Sequence, residues 1–190
     1  ERLVGAPWPE TNETDVIQAS TPYLRGYAGF YFADTDVIEV GEELDSHTML
    51  HELTHAWFND EHLADRWVSE GLADEIGARA AAQLGDDLPS PDDYEAPFDA
   101  ASVEPFPLNE WDELSNALDE NAEYYGYRTS FDVMRGLYDE IGEPRMSELI
   151  AAIVRGERAY RGERAAVNDS GAVGWRGCRD LPEQVRGSTE

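Results

Sequence analysis

Two histidines, His51 and His55, stand four residues apart in this chain with Glu52 between them. Residues four apart on a helix lie on one face, one turn apart, so both imidazoles can reach a single metal ion. Glu52 lies about 100° around the same helix from His51, where it flanks the ion rather than binding it. A carboxylate in that place can take a proton from a water molecule that a zinc ion activates. The pattern therefore predicts a helix with a hydrolytic metal site on its surface.

A second acidic pair follows downstream, where Glu70 and Asp74 are one helical turn apart. The apolar periodicity predicts a helix over about 65–84, ended by Gly85. Catalytic zinc usually takes three protein ligands, and two histidines plus one glutamate is a known set. We therefore expect Glu70 to be the third ligand and Asp74 to orient His51 through a hydrogen bond. The alternative is that both acids are ordinary exposed helix residues.

The two remaining histidines are not expected to bind the same ion. His47 stands eight residues before His55, roughly 12 Å along a helix axis, which is too far for both to bind one ion. A His47–His51 pair is conceivable, but no carboxylate directly follows its first histidine. We expect His47 to be structural or to lie at the rim of the site, and His62 to lie on the surface. Cys178 is the only cysteine, which excludes a disulfide framework and a cluster of thiolate ligands.

The composition is strongly acidic. The chain carries 41 acidic and 14 basic side chains, a formal net charge of −27, and every basic residue is an arginine. Such a surface repels nucleic acid and anionic lipid, so we expect neither as a partner. The acid excess indicates solubility or adaptation to salt or acid, and a preference for cationic peptides is the alternative.

The length of 190 residues and the 41% hydrophobic content predict one compact domain. We expect residues 1–28 to be an irregular lead-in or a truncated upstream element, because prolines interrupt them without periodicity. Residues 29–155 should form the domain that carries the site, and 156–190 a tail of uncertain structure. No apolar stretch is long enough to span a bilayer. The chain opens at Glu1 without an initiator methionine, so we expect any signal peptide or anchor to have been removed or to lie outside it.

Within the central region, short β-prone runs at 30–32 and 37–40 predict a hairpin just before the first helix. Asp45 or Ser46 can cap that helix, which should cover about 47–59. Small residues on the stripe that carries the second acidic pair should let the next helix pack closely against the first: Gly71, Ala78 and Ala81. Further along, the pattern predicts a long proline-rich loop and two helices: 86–109, 124–141 and 145–154.

These residues resemble the gluzincin metallopeptidases, the family of thermolysin and the alanyl-aminopeptidase-type enzymes. The run His51-Glu52-Leu53-Thr54-His55-Ala56-Trp57-Phe58-Asn59 is similar to the aminopeptidase form, in which Trp-Phe follows shortly after the second histidine. The segment Ser69-Glu70-Gly71-Leu72-Ala73 matches the one that carries the family's third ligand, and Glu70 with Asp74 repeats thermolysin's Glu-x-x-x-Asp spacing. Both helices of the family's metal site are thus represented.

The resemblance extends to a third helix. Family members place a tyrosine near the start of a helix that ends at a Leu-Gly or Ile-Gly step, and its hydroxyl stabilises the oxyanion of the tetrahedral intermediate. Tyr127 has the matching distance from Ile141-Gly142, and Tyr124 and Tyr125 are close enough to compete. The alternative is that these tyrosines only pack in an amphipathic helix.

The resemblance covers roughly residues 29–155 and implies a zincin-like α+β domain, with a small mixed or antiparallel sheet over the metal helix and a helical C-terminal part. It implies one zinc ion per chain and hydrolysis of a peptide or protein substrate that pairs with an edge strand near Val37–Val40. The implied site consists of three zinc ligands, a general base and an oxyanion donor: His51, His55 and Glu70, then Glu52, then Tyr127.

Two departures separate the chain from the family. Only fourteen residues lie between His55 and Glu70, fewer than in thermolysin or the aminopeptidases, and the Gly-x-Met-Glu-Asn segment that grips the substrate amino terminus is absent. Endopeptidase and aminopeptidase action therefore both remain open. The alternatives are a non-catalytic zinc-binding module and zinc-dependent hydrolysis of a non-peptide substrate. Glu52 argues against the first, because a purely structural metal site has no use for a base.

Overall fold

The computed structural model describes residues 2–9, 14–20, 24, 27–42, 45–59, 62–94, 104–111 and 120–156. Within them, three strands and four α-helices form a mixed α+β structure, which confirms the predicted class at this level: β1 (Asp15–Gln18), β2 (Gly29–Phe32), β3 (Val37–Val40), α1 (Ser46–Thr54), α2 (Arg66–Leu84), α3 (Glu120–Ile141) and α4 (Glu143–Val154). The expected C-terminal tail lies outside the described residues from position 157 onward.

The three strands form one mixed sheet in the order β1-β3-β2. β2 and β3 are the predicted hairpin, with Gly29 opposite Val40 and Phe32 opposite Val37. β1 pairs in parallel with the other side of β3, from Asp15 opposite Val37 to Gln18 opposite Val40. The prediction that Val37–Val40 is an edge strand is therefore wrong, because β3 has a hydrogen-bonded neighbour on each side.

The lead-in expected to be irregular contributes to the sheet and to the core. Its second half supplies β1, and its first residues bury the side chains of Leu3 and Val4. Ser147 donates a hydrogen bond to the Leu3 carbonyl at 2.8 Å, and the Trp57 indole donates to the Pro7 carbonyl at 2.7 Å. A four-residue strand whose side chains are exposed has almost no signature in the sequence, because its stability comes from pairing with a distant strand.

α1 begins where the sequence predicts and ends earlier. The Asp45 side chain accepts a hydrogen bond from the Thr48 backbone at 2.8 Å, which caps the helix start. The last helical residue is Thr54 rather than residue 59, and the chain then turns so that Trp57 and Phe58 enter the core. His55 keeps α-helical backbone angles at the C-cap, so it still lies one turn below His51.

α2 packs against α1 on one side and α3 on the other. Each close contact between helices occurs at a different glycine of α2. A side chain at Gly77 would meet the backbone nitrogen of His51 in α1 at 3.0 Å. A side chain at Gly71 would meet the backbone oxygen of Ser130 in α3 at 2.6 Å. The expectation that Gly71 packs against α1 is therefore wrong. Gly71 is one residue, about 100°, around the helix from Glu70, so the two face different neighbours.

The later helices agree with the sequence pattern. α2 ends at Gly85, which adopts φ 107°, and α3 ends at Gly142, which adopts φ 82°. Pro144 stands in the first turn of α4, where its missing N–H costs nothing. Among the described helices, none combines the length and the apolar composition that crossing a bilayer requires.

Candidate metal centre

Three side chains from α1 and α2 converge at the helix interface. The Nε2 atoms of His51 and His55 lie 3.1 Å apart, and Oε2 of Glu70 lies 3.2 Å from the first and 3.4 Å from the second. Within the described residues, these three are the group of potential ligands whose atoms lie close enough together to hold one metal ion. The structure thus brings together the three residues that the sequence predicts as ligands.

The spacing of these three atoms can be compared with a tetrahedral site. Ligands at 2.0–2.1 Å from zinc in a tetrahedral arrangement are about 3.3–3.4 Å from one another. The three observed separations, 3.1, 3.2 and 3.4 Å, are close to that edge length. The donor set of two imidazoles and one carboxylate therefore fits a zinc ion with a fourth position left open.

The hydrogen bonds of the two imidazoles explain why their Nε2 atoms are free to bind a cation. Nδ1 of His51 lies 2.9 Å from Oδ1 of Asp74, and Nδ1 of His55 lies 2.9 Å from the Phe58 carbonyl oxygen. Both partners are acceptors, so each neutral ring carries its proton on Nδ1. Two nitrogen lone pairs and a carboxylate oxygen then face one another, which is unfavourable unless a cation or a further proton lies between them. Asp74 occupies the orienting position expected for it.

The electrostatics of the cluster also favour positive charge. Burial lowers the pKa of His51 and His55, but neighbouring carboxylates outweigh it and raise both above the ordinary value, chiefly Asp74 for His51 and Glu70 for His55. Burial raises the pKa of Glu70, but the two histidines outweigh it and hold it well below the ordinary value. The Glu70 carboxylate thus stays negative and attracts a cation to the point between the rings.

Glu52 lies beside the cluster and outside the ligand set. Its side chain is buried against β2, where a side chain at Gly29 would come within 2.9 Å of its Cγ and Oε1 atoms. Gly29 therefore leaves the space that the Glu52 side chain occupies, a role that the sequence did not reveal. Burial raises the pKa of Glu52, and the charges of His51 and His55 offset only part of that. A carboxyl group whose pKa moves toward neutrality suits a general base.

Asp74 has a further partner that the sequence analysis missed. The Tyr94 hydroxyl lies 2.9 Å from each oxygen of the Asp74 carboxylate, which is 1% exposed. Nothing in the sequence marks Tyr94, because it stands in the proline-rich loop, and only the fold brings it next to α2.

His47 Nε2 donates to the Asp74 backbone oxygen at 3.1 Å, and the His47 ring stacks on Phe131. His47 is thus a neighbour of the site and not a member of the three-ligand group.

Tyr127 lies next to the three clustered side chains, on α3. Its ring centroid is 6.4 Å from that of His51, and its hydroxyl oxygen accepts a hydrogen bond from Arg66 at 3.0 Å. Burial raises the pKa of Tyr127 well above its ordinary value, and the charge of Glu70 adds to the effect. The hydroxyl therefore keeps its proton at neutral pH and can act as a hydrogen-bond donor. Tyr125 instead packs its ring against Phe106, at 4.8 Å between centroids.

The last predicted position is His62, which lies in the turn before α2. Its backbone nitrogen donates to the Asn59 carbonyl at 3.1 Å, and His62 is not among the three clustered side chains.

The chain matches no protein-family model, no curated protein and no solved structure. Its function has to be inferred from the geometry of its own side chains.

Proposed function

We propose that this chain is a zinc-dependent metallopeptidase of the gluzincin type, with a zincin-like arrangement of its sheet and helices. The observation that supports this most strongly is the convergence of two imidazole nitrogens and a carboxylate oxygen at separations of 3.1–3.4 Å. Both imidazoles are oriented through their other nitrogen, as in most histidines that bind a metal. A buried carboxylate, Glu52, lies next to these three side chains and is not one of the three potential ligands.

His51, His55 and Glu70 would hold the zinc ion. When bound there, zinc polarises a carbonyl oxygen and lowers the pKa of water to about 7. Glu52 accepts a proton from the attacking water and delivers it to the leaving amine of the cleaved bond. Tyr127 donates a hydrogen bond to the oxyanion that develops on the carbonyl oxygen, and its burial means that the bond forms in a low-dielectric setting.

A peptide substrate would pair with β2 rather than with β3. Within the described residues, β2 has a partner on one side only, whereas both sides of β3 are occupied. β2 begins at Gly29, against which the Glu52 side chain lies, so an extended peptide on the free side of β2 passes close to the base. The backbone hydrogen bonds of an added strand hold any peptide in place, which leaves the side-chain preference to the rest of the cleft.

Two measurements on purified protein test the proposal. Elemental analysis should find about one zinc per chain, and a diverse peptide library should be cleaved by the wild type. The Glu52→Gln variant should bind the same zinc and lose cleavage, because the amide cannot accept the proton. Glu140→Gln, an exposed change on α3, should cleave like the wild type.

Each contrary outcome has a distinct meaning. A protein that takes up no zinc would rule out the assignment altogether. Equal cleavage by the wild type and Glu52→Gln would remove Glu52 from its role. A zinc-loaded wild type that cleaves no peptide of the library would favour a non-catalytic binding module. The cut sites themselves would distinguish terminal trimming from internal cleavage.

A further inference from the structure

One arginine contacts both a metal ligand and the tyrosine hydroxyl. Arg66 is the first residue of α2, one turn before Glu70, and its side chain is 9% exposed. Its Nε atom lies 3.7 Å from Oε1 of Glu70, and its Nη2 atom donates to the Tyr127 hydroxyl at 3.0 Å. The other Glu70 oxygen, Oε2, is the one that faces the two imidazoles.

Several contacts fix the guanidinium group of Arg66. Glu123 accepts two hydrogen bonds from it, at 2.9 Å from Nη1 and 2.7 Å from Nη2. The group also lies over the Trp111 ring, 4.0 Å from the centroid, and the Trp111 indole donates to the same Glu123 carboxylate at 3.2 Å. Tyr27 donates to that carboxylate as well, at 3.2 Å. Held in this way, the guanidinium group presents a permanent positive charge in one orientation.

We propose that Arg66 is a positioning residue that keeps Glu70 bound to a metal ion through one oxygen and holds the Tyr127 hydroxyl beside it. The attraction of Arg66 for Oε1 keeps that oxygen away from the imidazoles, so only Oε2 is available to the ion. A ligand that occupies one position instead of two preserves the fourth position, which catalysis needs for water and substrate. This inference rests on the proposed zinc site.

The hydrogen bond to Tyr127 has a second effect. Because the Tyr127 oxygen accepts a hydrogen bond from Arg66, its own proton points away from the guanidinium group. A charged donor to that oxygen also polarises the O–H bond, which makes the hydroxyl a stronger hydrogen-bond donor. Arg66 therefore sets both the coordination mode of Glu70 and the donor strength of Tyr127.

Arg79 offers a matched control on the same helix. It bonds a carboxylate one turn away, Glu75, at 2.6 Å, and it lies over an aromatic ring, that of Tyr138, at 4.3 Å. Both arginines thus bridge α2 and α3, but the carboxylate bound by Arg79 is not in the three-ligand group. If Arg66 only stabilised the fold, substitution of either arginine would have the same consequences.

The experiment loads the full chain with Co²⁺ and records its visible absorption, which weakens as the coordination number rises from four to five. We expect Arg66→Gln to weaken the absorption and to lower kcat by about 10–100-fold with little change in KM. Arg66→Lys should show the same changes to a smaller extent, because an ammonium group can attract Oε1 but cannot bond both partners. Arg79→Gln should lower stability and keep the wild-type spectrum.

The outcomes separate this inference from the proposed function. Wild-type protein that binds neither Co²⁺ nor Zn²⁺ would refute the metal site itself. Wild-type protein that binds Co²⁺, together with Arg66→Gln of unchanged spectrum, would refute the role of Arg66 alone. If Arg66→Gln does not fold, Arg66→Lys decides, since an unchanged spectrum in that variant contradicts the inference and a weakened one supports it.

Discussion

Gly71 is the position where a single methyl group should disturb the helix pair that supports the site. A Cβ atom at Gly71 would lie 2.6 Å from the Ser130 backbone oxygen and 2.9 Å from both the Ser130 carbonyl carbon and Cγ of Met134. An ordinary contact begins at 3.4 Å, so α2 and α3 would have to separate by about 0.8 Å. Two of the three atoms belong to the backbone and cannot rotate away.

The magnitude for Gly71→Ala follows from two opposing effects. Overpacking costs about 1–3 kcal/mol, and a backbone clash belongs in the upper part of that range. Replacing glycine by alanine inside a helix stabilises the folded state by about 1 kcal/mol, because alanine has the higher helix propensity. We therefore expect the free energy of unfolding to fall by about 2 kcal/mol. The Arg66–Tyr127 hydrogen bond, which spans the same two helices, should weaken with it.

Gly136→Ala is the control, because a side chain there meets nothing within 4 Å and Gly136 lies in the exposed face of α3. That variant should gain up to about 1 kcal/mol from helix propensity alone. Urea unfolding of both variants and the wild type, with a chelator present so that bound metal does not mask the effect, measures the difference. If Gly71→Ala is as stable as the wild type, or shifts in the same direction as Gly136→Ala, the close approach of α2 to α3 at Gly71 is refuted.

Three further substitutions test other parts of the site. Asp74→Asn should weaken zinc binding by about 10–100-fold in a chelator competition, because the acceptor that orients His51 loses its negative charge, and unchanged affinity would contradict that role. Tyr127→Phe should lower kcat by about 10²–10³-fold with zinc still bound, and an active variant would exclude Tyr127 as the oxyanion donor. Glu75→Gln should cost about 3 kcal/mol in urea unfolding, because it removes the fully buried carboxylate that pairs with two half-buried arginines, Arg79 and Arg135. A stability loss below about 1 kcal/mol would show that the pair is screened by solvent.

The pairing of the two histidines was predictable because their relation is local. Two residues four apart on a helix face the same way whatever surrounds the helix, so His51 and His55 could be paired before any fold was known. The start of α1 and the end of α2 follow from equally local signals, the Asp45 cap and the left-handed Gly85. Glu70 could be added because catalytic zinc usually has three protein ligands, although its distance from the histidines depends on how two helices pack.

Local signals do not reveal contacts that the chain makes only after folding. β1 has exposed side chains and is a strand because it pairs with β3, some twenty residues away. That pairing places β3 in the centre of the sheet and leaves β2 with a free side. Gly71 looked like a packing position against α1, but which neighbouring helix it faces depends on the angular position of α2.

By itself, the sequence determined that the chain has a helix bearing two histidines and Glu52, a second helix bearing Glu70 and Asp74, and a hairpin before them. Only the tertiary structure decided that Arg66 lies between Glu70 and Tyr127, and that the Tyr94 hydroxyl donates a hydrogen bond to Asp74. The physical reason is the range of each interaction. Helical spacing and capping act over one or two turns, whereas the hydrogen bond between Arg66 and Tyr127 joins residues 61 positions apart and exists only where two helices meet.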